Sequence, residues 1–311
     1  MRIESNAPHD FYLTLDVDSY FEAEYEPMEI FRYGYPVPLG LAERDVFAVL
    51  HWNEVPEEPV FEVEFPEHEL TDAEEEEAEG KLRRVVGADI DLEPFYELAE
   101  QDPVLAPLVE EHYGFKRLSR ATFYEDAIRS IIKTRIAHDP TARRMVKDVR
   151  EAWGQAFVWH DTTYYTYPRP EVLKDVDPEQ CREYGVSKRK GEYITGMARD
   201  IVDGTLDLEA LEQMDPSDFY EAAQEVRGIG PSTAQSLMLR RNRNDAAFPS
   251  HKTKGKEKGI RRWILMSYGM DPHETPDEEW EALHDRWRGH ESLVSQYFFF
   301  DWVMRQKAEE G

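Results

Sequence analysis

Residues 215–241 read DPSDFYEAAQEVRGIGPSTAQSLMLRR, two helix-like runs around a Gly-Ile-Gly turn. Asp215 or Ser217 can cap a helix that runs to about Val226. Gly228-Ile229-Gly230 then makes a tight turn, and Pro231 opens a second helix where its missing N–H costs nothing. Thr233-Ala234 follow, with Leu237 and Leu239 turned to a core. Glycine on both sides of Ile229 permits positive φ and leaves no side chain between the turn and a ligand. Main-chain N–H groups at the start of the second helix are therefore free for one phosphate, aided by the helix dipole. A Gly-Ile-Gly turn alone occurs in many helix pairs. The whole pattern, apolar–x–Gly–Ile–Gly–Pro–x–Thr–Ala between two helices, is much narrower. Its bland alternative is an αα-hairpin packed for its own sake.

The charge around this stretch points the same way. The chain of 311 residues carries 65 acids against 37 bases, a net −28. The acids are spread along most of the sequence rather than gathered in an interaction tail, which reads as a surface of haloarchaeal type adapted to concentrated salt. In molar salt the Debye length is only about 3 Å, so an acidic surface does not exclude a polyanion. From Arg240 to Arg262 the sign reverses: RRNRNDAAFPSHKTKGKEKGIRR holds nine bases and two acids, Asp245 and Glu257. Either this is a solvated basic loop, or it keeps its positive charge for a phosphate backbone.

Composition bounds the rest. Hydrophobic content of 41% supports a real core. No apolar run approaches the roughly 20 residues of a membrane span, and MRIESNAPHDF lacks the apolar centre of a signal peptide. Cys181 is the only cysteine, which excludes disulfides, Cys-ligated zinc and an iron–sulfur cluster within one chain. The ten histidines show no His-x3-His spacing, so neither a metal site nor a cofactor is expected. These features predict a soluble, cytoplasmic monomer with no membrane association.

Along the chain, the first 70 residues alternate apolar and polar positions (Phe11–Leu13–Leu15–Val17, Val60–Glu62–Val63–Phe65) and are broken by YGYPVPLG, which predicts a small antiparallel sheet. TDAEEEEAEG (71–80) opens a helix with Thr71 or Asp72 as N-cap. Helical periodicity then predicts helices near 92–101, 104–112, 122–137, 140–153, 189–203, 216–226, 231–241, 257–268, 277–286 and 290–307. Residues 155–170 read as an aromatic-rich connection without clear period. The fold class is mainly α: a small β-rich domain over 1–75, then an all-α domain over 76–311, α+β overall.

On the hairpin, TFYEDAIRSIIKTRIAHDPTARRMVKDVREAWG (122–154), YGVSKRKGEYITGMARDIVDGTLDLEAL (184–211) and NDAAFP (244–249), in this order, the sequence resembles the helix-hairpin-helix DNA glycosylase superfamily. That superfamily includes endonuclease III, 8-oxoguanine glycosylase and 3-methyladenine glycosylase II, the last two being the branch that this chain is most similar to. The resemblance covers roughly 82–305 and implies a core of two helical subdomains that binds duplex DNA containing a damaged base. It implies DNA contacts at Gly228, Ile229, Gly230, Ser232, Thr233, Arg240 and Arg241, in the basic loop at Lys252, Lys254, Lys256 and Lys258, and at Lys133 and Arg135, where relatives fill the gap left by a flipped base. Arg135 could fill that gap, or Lys133 and Arg135 could be ordinary exposed bases. Trp153, Trp159 and Tyr164–Tyr165 could stack on a flipped base or belong to core or lid; Trp263 reads as core.

The resemblance also implies an aspartate soon after the Phe-Pro loop, whose carboxylate supports the positive charge building on the sugar as the glycosidic bond breaks. Here the sequence departs. Counting forward from Phe248-Pro249 reaches Lys252. Counting back from Gly269 through EKGIRRWILMSYG reaches Glu257. Glu257 is the expected carboxylate, with Lys252 the alternative position and a surface ion pair the ordinary one. The lyase lysine of bifunctional relatives falls on Ser232, so the expected enzyme is monofunctional. Two other readings stay open: a DNA-binding protein that recognises damaged or structured DNA without catalysis, and an interaction protein with no nucleic-acid role.

Overall fold

The computed structural model describes residues 1–15, 32–136, 139–241, 243–247 and 260–310. Four strands, β1 (Arg2–Glu4), β2 (Tyr35–Gly40), β3 (Asp45–Trp52) and β4 (Val60–Glu64), form an antiparallel sheet in the order β1-β4-β3-β2. The central strand β3 reads DVFAVLHW, almost continuously apolar, because both of its faces are covered. Val46, Ala48 and Leu50 pack toward α1 (Asp72–Val86), whose Ala78, Leu82, Val85 and Val86 are buried in the same cluster. Phe47 and Val49 face the other way, onto Phe157, Trp159 and Tyr164. Thr71 begins α1 with a capping box: its hydroxyl accepts from Glu74 N–H while the Glu74 carboxylate accepts from Thr71 N–H at 2.8 Å.

Two expectations are corrected here. The alternation Phe11–Leu13–Leu15 is not a strand: residues 11–15 are helical, because Asp10 Oδ1 accepts the N–H groups of Tyr12 (3.0 Å) and Leu13 (3.1 Å) and caps a turn. The aromatic connection 155–170 is not irregular. It holds the hairpin β5 (Ala156–Trp159) and β6 (Thr162–Tyr165), turned at His160 and Asp161 with φ of 46° and 65°. This hairpin supplies the cover for the outer face of β3.

The helices divide between two further cores. One gathers α4 (Phe123–Lys133), α5 (Asp139–Trp153), α6 (Pro170–Leu173), α7 (Lys188–Val202), α8 (Leu208–Gln213), α9 (Pro216–Glu225) and α10 (Pro231–Met238) around Ile128, Ile194, Phe219 and Leu237. The other gathers α2 (Glu93–Ala99), α3 (Leu105–Glu111), α11 (Ile260–Ser267), α12 (Asp277–His284) and α13 (Glu291–Glu310) around Phe95, Trp280, Trp287 and Tyr297. The closing helix α13 buries Tyr297, Phe298, Phe300 and Val303, which fall in its apolar run YFFFDWV (297–303). Among the described residues, no helix is long and apolar enough to cross a membrane.

A buried ionic cluster joins the sheet layer to the first helical core. Arg84 of α1 reaches Asp126 of α4 at 3.2 Å and Glu212 of α8 at 2.9 Å, and Arg240 approaches Asp126 at 3.7 Å. The two carboxylates outweigh burial and hold the Arg84 guanidinium above its usual range. Beside them, burial pushes the Glu125 carboxyl up to about 7. Such clusters add little net stability, but removing one partner strands a buried charge.

Candidate nucleic-acid interface

The hairpin forms where the sequence places it. Helix α9 gives way to the turn at Val226, the Ile229 N–H closes that turn on Val226 O at 3.0 Å, and Pro231 starts α10. Gly228 has φ of 104°, a left-handed conformation, and a Cβ there would lie 2.7 Å from the Tyr193 ring. Gly230 is extended, and a Cβ there would meet nothing within 4 Å. The first N–H to find a main-chain acceptor in α10 is that of Ala234, on Gly230 O at 2.8 Å. The N–H groups ahead of it, on Ser232 and Thr233, are the ones a helix start leaves for a ligand.

These groups open into a cavity of about 870 Å³. Its walls come from the end of α4 and the residues after it (Arg129, Ser130, Ile131, Lys133, Thr134, Arg135), the start of α7 (Ser187, Arg189, Lys190, Tyr193), the turn, one face of α10 (Ser232, Ser236), and Arg240 just past its end. Six bases and six serine or threonine hydroxyls line it and no acid does, in a chain of net −28. Three contacts fix one wall. Thr134 Oγ1 donates to Ser130 O at 2.7 Å and lies 3.2 Å from Thr233 Oγ1. Lys190 Nζ donates to Ile132 O at 2.6 Å, and burial lowers its amine from the usual range. The helix expected over 122–137 therefore stops at Lys133. Thr134 and Arg135 form a turn, and Arg135 stands exposed at the rim with φ of 63°. A non-glycine residue in this conformation costs about 1–2 kcal/mol.

The structure thus brings together Gly228, Ile229, Gly230, Ser232, Thr233, Arg240, Lys133 and Arg135. It does not bring Arg241 to them. That guanidinium is buried over the Phe219 ring and donates to Met214 O and Asp245. It ties the segment after α10 to the end of α8, so the expected DNA contact is corrected to a structural one. Glu257, Lys252, Lys254, Lys256 and Lys258 lie outside the described residues. Trp153, Trp159, Tyr164 and Tyr165 stay away from the cavity. Trp153 meets Tyr184 edge-on at 5.0 Å, and Trp159 and Tyr164 pack on Phe47. Trp263 is half-buried in a stack with Phe299 and Trp302. The sequence reading missed Tyr193, Arg189 and Lys190, although KRKGEY was the signal: bases interleaved with an aromatic at the start of a helix.

Sequence spacing offers no metal ligands, but the fold places Glu111, His112 and Asp301 with donor atoms within 4.8 Å of one another. Arg305 pairs with Asp301 at 2.8 Å, and burial lowers the His112 imidazole. The group is an ion-pair network away from the cavity.

Known proteins are similar to this chain in sequence and in fold. A DNA-3-methyladenine glycosylase of Bacillus subtilis (strain 168) is 28% identical over 211 residues, 68% of this chain and 67% of that relative. A 3-methyladenine DNA-glycosylase from Archaeoglobus fulgidus superposes with a TM-score of 0.75 at 22% identity, over 96% of this chain and 97% of its own. The Clostridium acetobutylicum 8-oxoguanine glycosylase/lyase, in complex with double-stranded DNA, gives 0.68 at 15% identity, over 98% of both. Residues 128–289, more than half of the chain, match the HhH-GPD superfamily, and this protein therefore belongs to that superfamily of base excision DNA repair proteins.

Proposed function

We propose that this protein is a monofunctional DNA N-glycosylase that hydrolyses the bond between a flipped, damaged base and its sugar. The observation that carries this reading is the cavity at the hairpin, lined by cations and hydroxyls and free of acids in a strongly acidic chain. Free N–H groups at the start of α10 grip one phosphate, and Lys133, Arg135 and Arg240 supply charge to the same strand. Arg135 enters the space that the base vacates, its left-handed backbone holding it at the rim.

In this mechanism the C1′–N bond breaks, its electron pair leaves with the base, and positive charge gathers on the sugar. Glu257 is the residue to which this reading gives the carboxylate that supports that charge. Water adds its oxygen to C1′, and the proton it yields passes to the departing base, or to solvent where that base left a cationic state and is already neutral. Ser232, where bifunctional relatives have lysine, cannot form a Schiff base. A second reading, DNA binding without catalysis, draws on the lysine that stands at the forward-counted position of the family's aspartate. Glu257→Gln separates the two. If the first holds, release of the damaged base is abolished while duplex binding persists. If Glu257→Gln excises like the wild type, the role of Glu257 is refuted.

A further inference from the structure

The geometry points to a second phosphate seat beside the hairpin, formed by Arg189 and Arg227, both held at the Tyr193 ring, and taking the next backbone phosphates of the strand that the hairpin grips. The inference rests on reading the cavity as a DNA seat. It adds Arg189 and Tyr193, which lie outside both the hairpin pattern and the basic loop, and Arg227, which stands at an unspecified position of that pattern.

Tyr193 touches the turn directly, since Gly228 approaches its ring more closely than any residue with a side chain could. The guanidinium carbons of Arg189 and Arg227 each lie 5.6 Å from the centroid of that one ring. Arg189 Nε also donates to Tyr193 Oη. Both arginines are exposed. In a chain with 65 acids, exposed arginines are expected on carboxylates. Among the described residues Arg189 has none within 4.0 Å, and Arg227 has only Glu192, at 3.4 Å. The ring's π-face offers both cations a partner without a carboxylate; the Arg189 Nη groups stay available to another acceptor, and Arg227 exchanges a long, exposed contact with Glu192 for one.

Lys190 is not part of this seat, because its ammonium is occupied by Ile132 O. Successive phosphates rise only about 3.4 Å along one strand, so neighbours of the hairpin-bound phosphate reach this edge of the cavity. Planar guanidinium groups suit a diester oxygen pair better than a point charge does.

The test is the salt dependence of binding to a fluorescent duplex holding a stable abasic analogue, titrated at several KCl concentrations. The wild type is compared with Arg189→Gln/Arg227→Gln, Tyr193→Phe, Tyr193→Ala and Arg288→Gln, an exposed arginine outside the cavity. The double variant should bind more weakly and lower the slope of log K against log[KCl] by about one for each phosphate that its arginines had neutralised. Tyr193→Phe keeps the ring and should keep most of the affinity, and Tyr193→Ala should weaken binding as the double variant does. A double variant with the slope and affinity of Arg288→Gln would overturn the second seat while leaving the hairpin reading intact. A wild type that bound no duplex at any salt would overturn that reading and the second seat with it.

Discussion

Gly228 and Gly230 flank one isoleucine but serve different needs. Gly228 is demanded by the fold: its φ of 104° and the Tyr193 ring at 2.7 Å both exclude a side chain. Gly228→Ala should lower unfolding stability by about 1–2 kcal/mol from backbone strain alone, measured by chemical denaturation, and weaken DNA binding as well. Gly230 has space for a Cβ, so Gly230→Ala should fold with wild-type stability. Its added methyl would stand where the ligand approaches, and binding should fall nonetheless. Equal destabilisation of both variants would contradict this division. Lys116 gives a pH prediction. It is fully buried, donating to Asn6 O at 2.6 Å, and burial brings its amine down to about 7. The unfolded chain therefore binds the extra proton between about 7 and the ordinary lysine range, so this group makes stability rise with pH through that window. Below about 7 the amine is protonated in both states and its contribution to the slope ends. Lys116→Met should flatten the rise in a pH series of urea midpoints.

The elements show how far sequence logic reaches. The hairpin helices α9 and α10, an N-cap at Thr71 or Asp72 for α1 and the closing helix α13 were legible, because caps, prolines, glycines and apolar period act locally. The hairpin β5–β6 was not. Its turn residues are His160 and Asp161 rather than glycine or asparagine, and its aromatic positions make sense only once Phe47 and Val49 are known to need a cover. The early end of α4 was hidden for a similar reason, since Thr134 meets Thr233, 99 residues away in sequence. Arg241 and Arg240 are neighbours in one basic run, yet the first is buried against α8 and α9 and the second lines the cavity. Charge composition cannot separate them. The Arg84 cluster, formed by three elements, was equally invisible. Arg84→Met would leave Asp126 and Glu212 buried without their shared partner, and should cost about 3–5 kcal/mol. A calorimetric scan in molar KCl would read this, and a destabilisation under about 1 kcal/mol would show the pair to be dispensable.

For the molecule as a whole, a net charge of −28 surrounds the cationic cavity at the hairpin. Acid–acid repulsion is relieved by screening, so the melting temperature should climb as KCl rises toward molar concentrations; a fall would contradict the salt-adapted surface. The fold serves the cavity by bringing the end of α4, the start of α7 and the hairpin to one place, while the sheet layer braces them through Arg84. If the cavity handles a damaged base for excision, the purified chain should release that base from duplex DNA. The assay is incubation in molar KCl with duplexes carrying hypoxanthine, 3-methyladenine, 8-oxoguanine or uracil, followed by alkali. Strand breaks at one lesion, absent with Glu257→Gln while that variant still binds the duplex, are the predicted result. Intact strands at every lesion, with the wild type bound to them, would contradict catalysis and leave a DNA-binding protein.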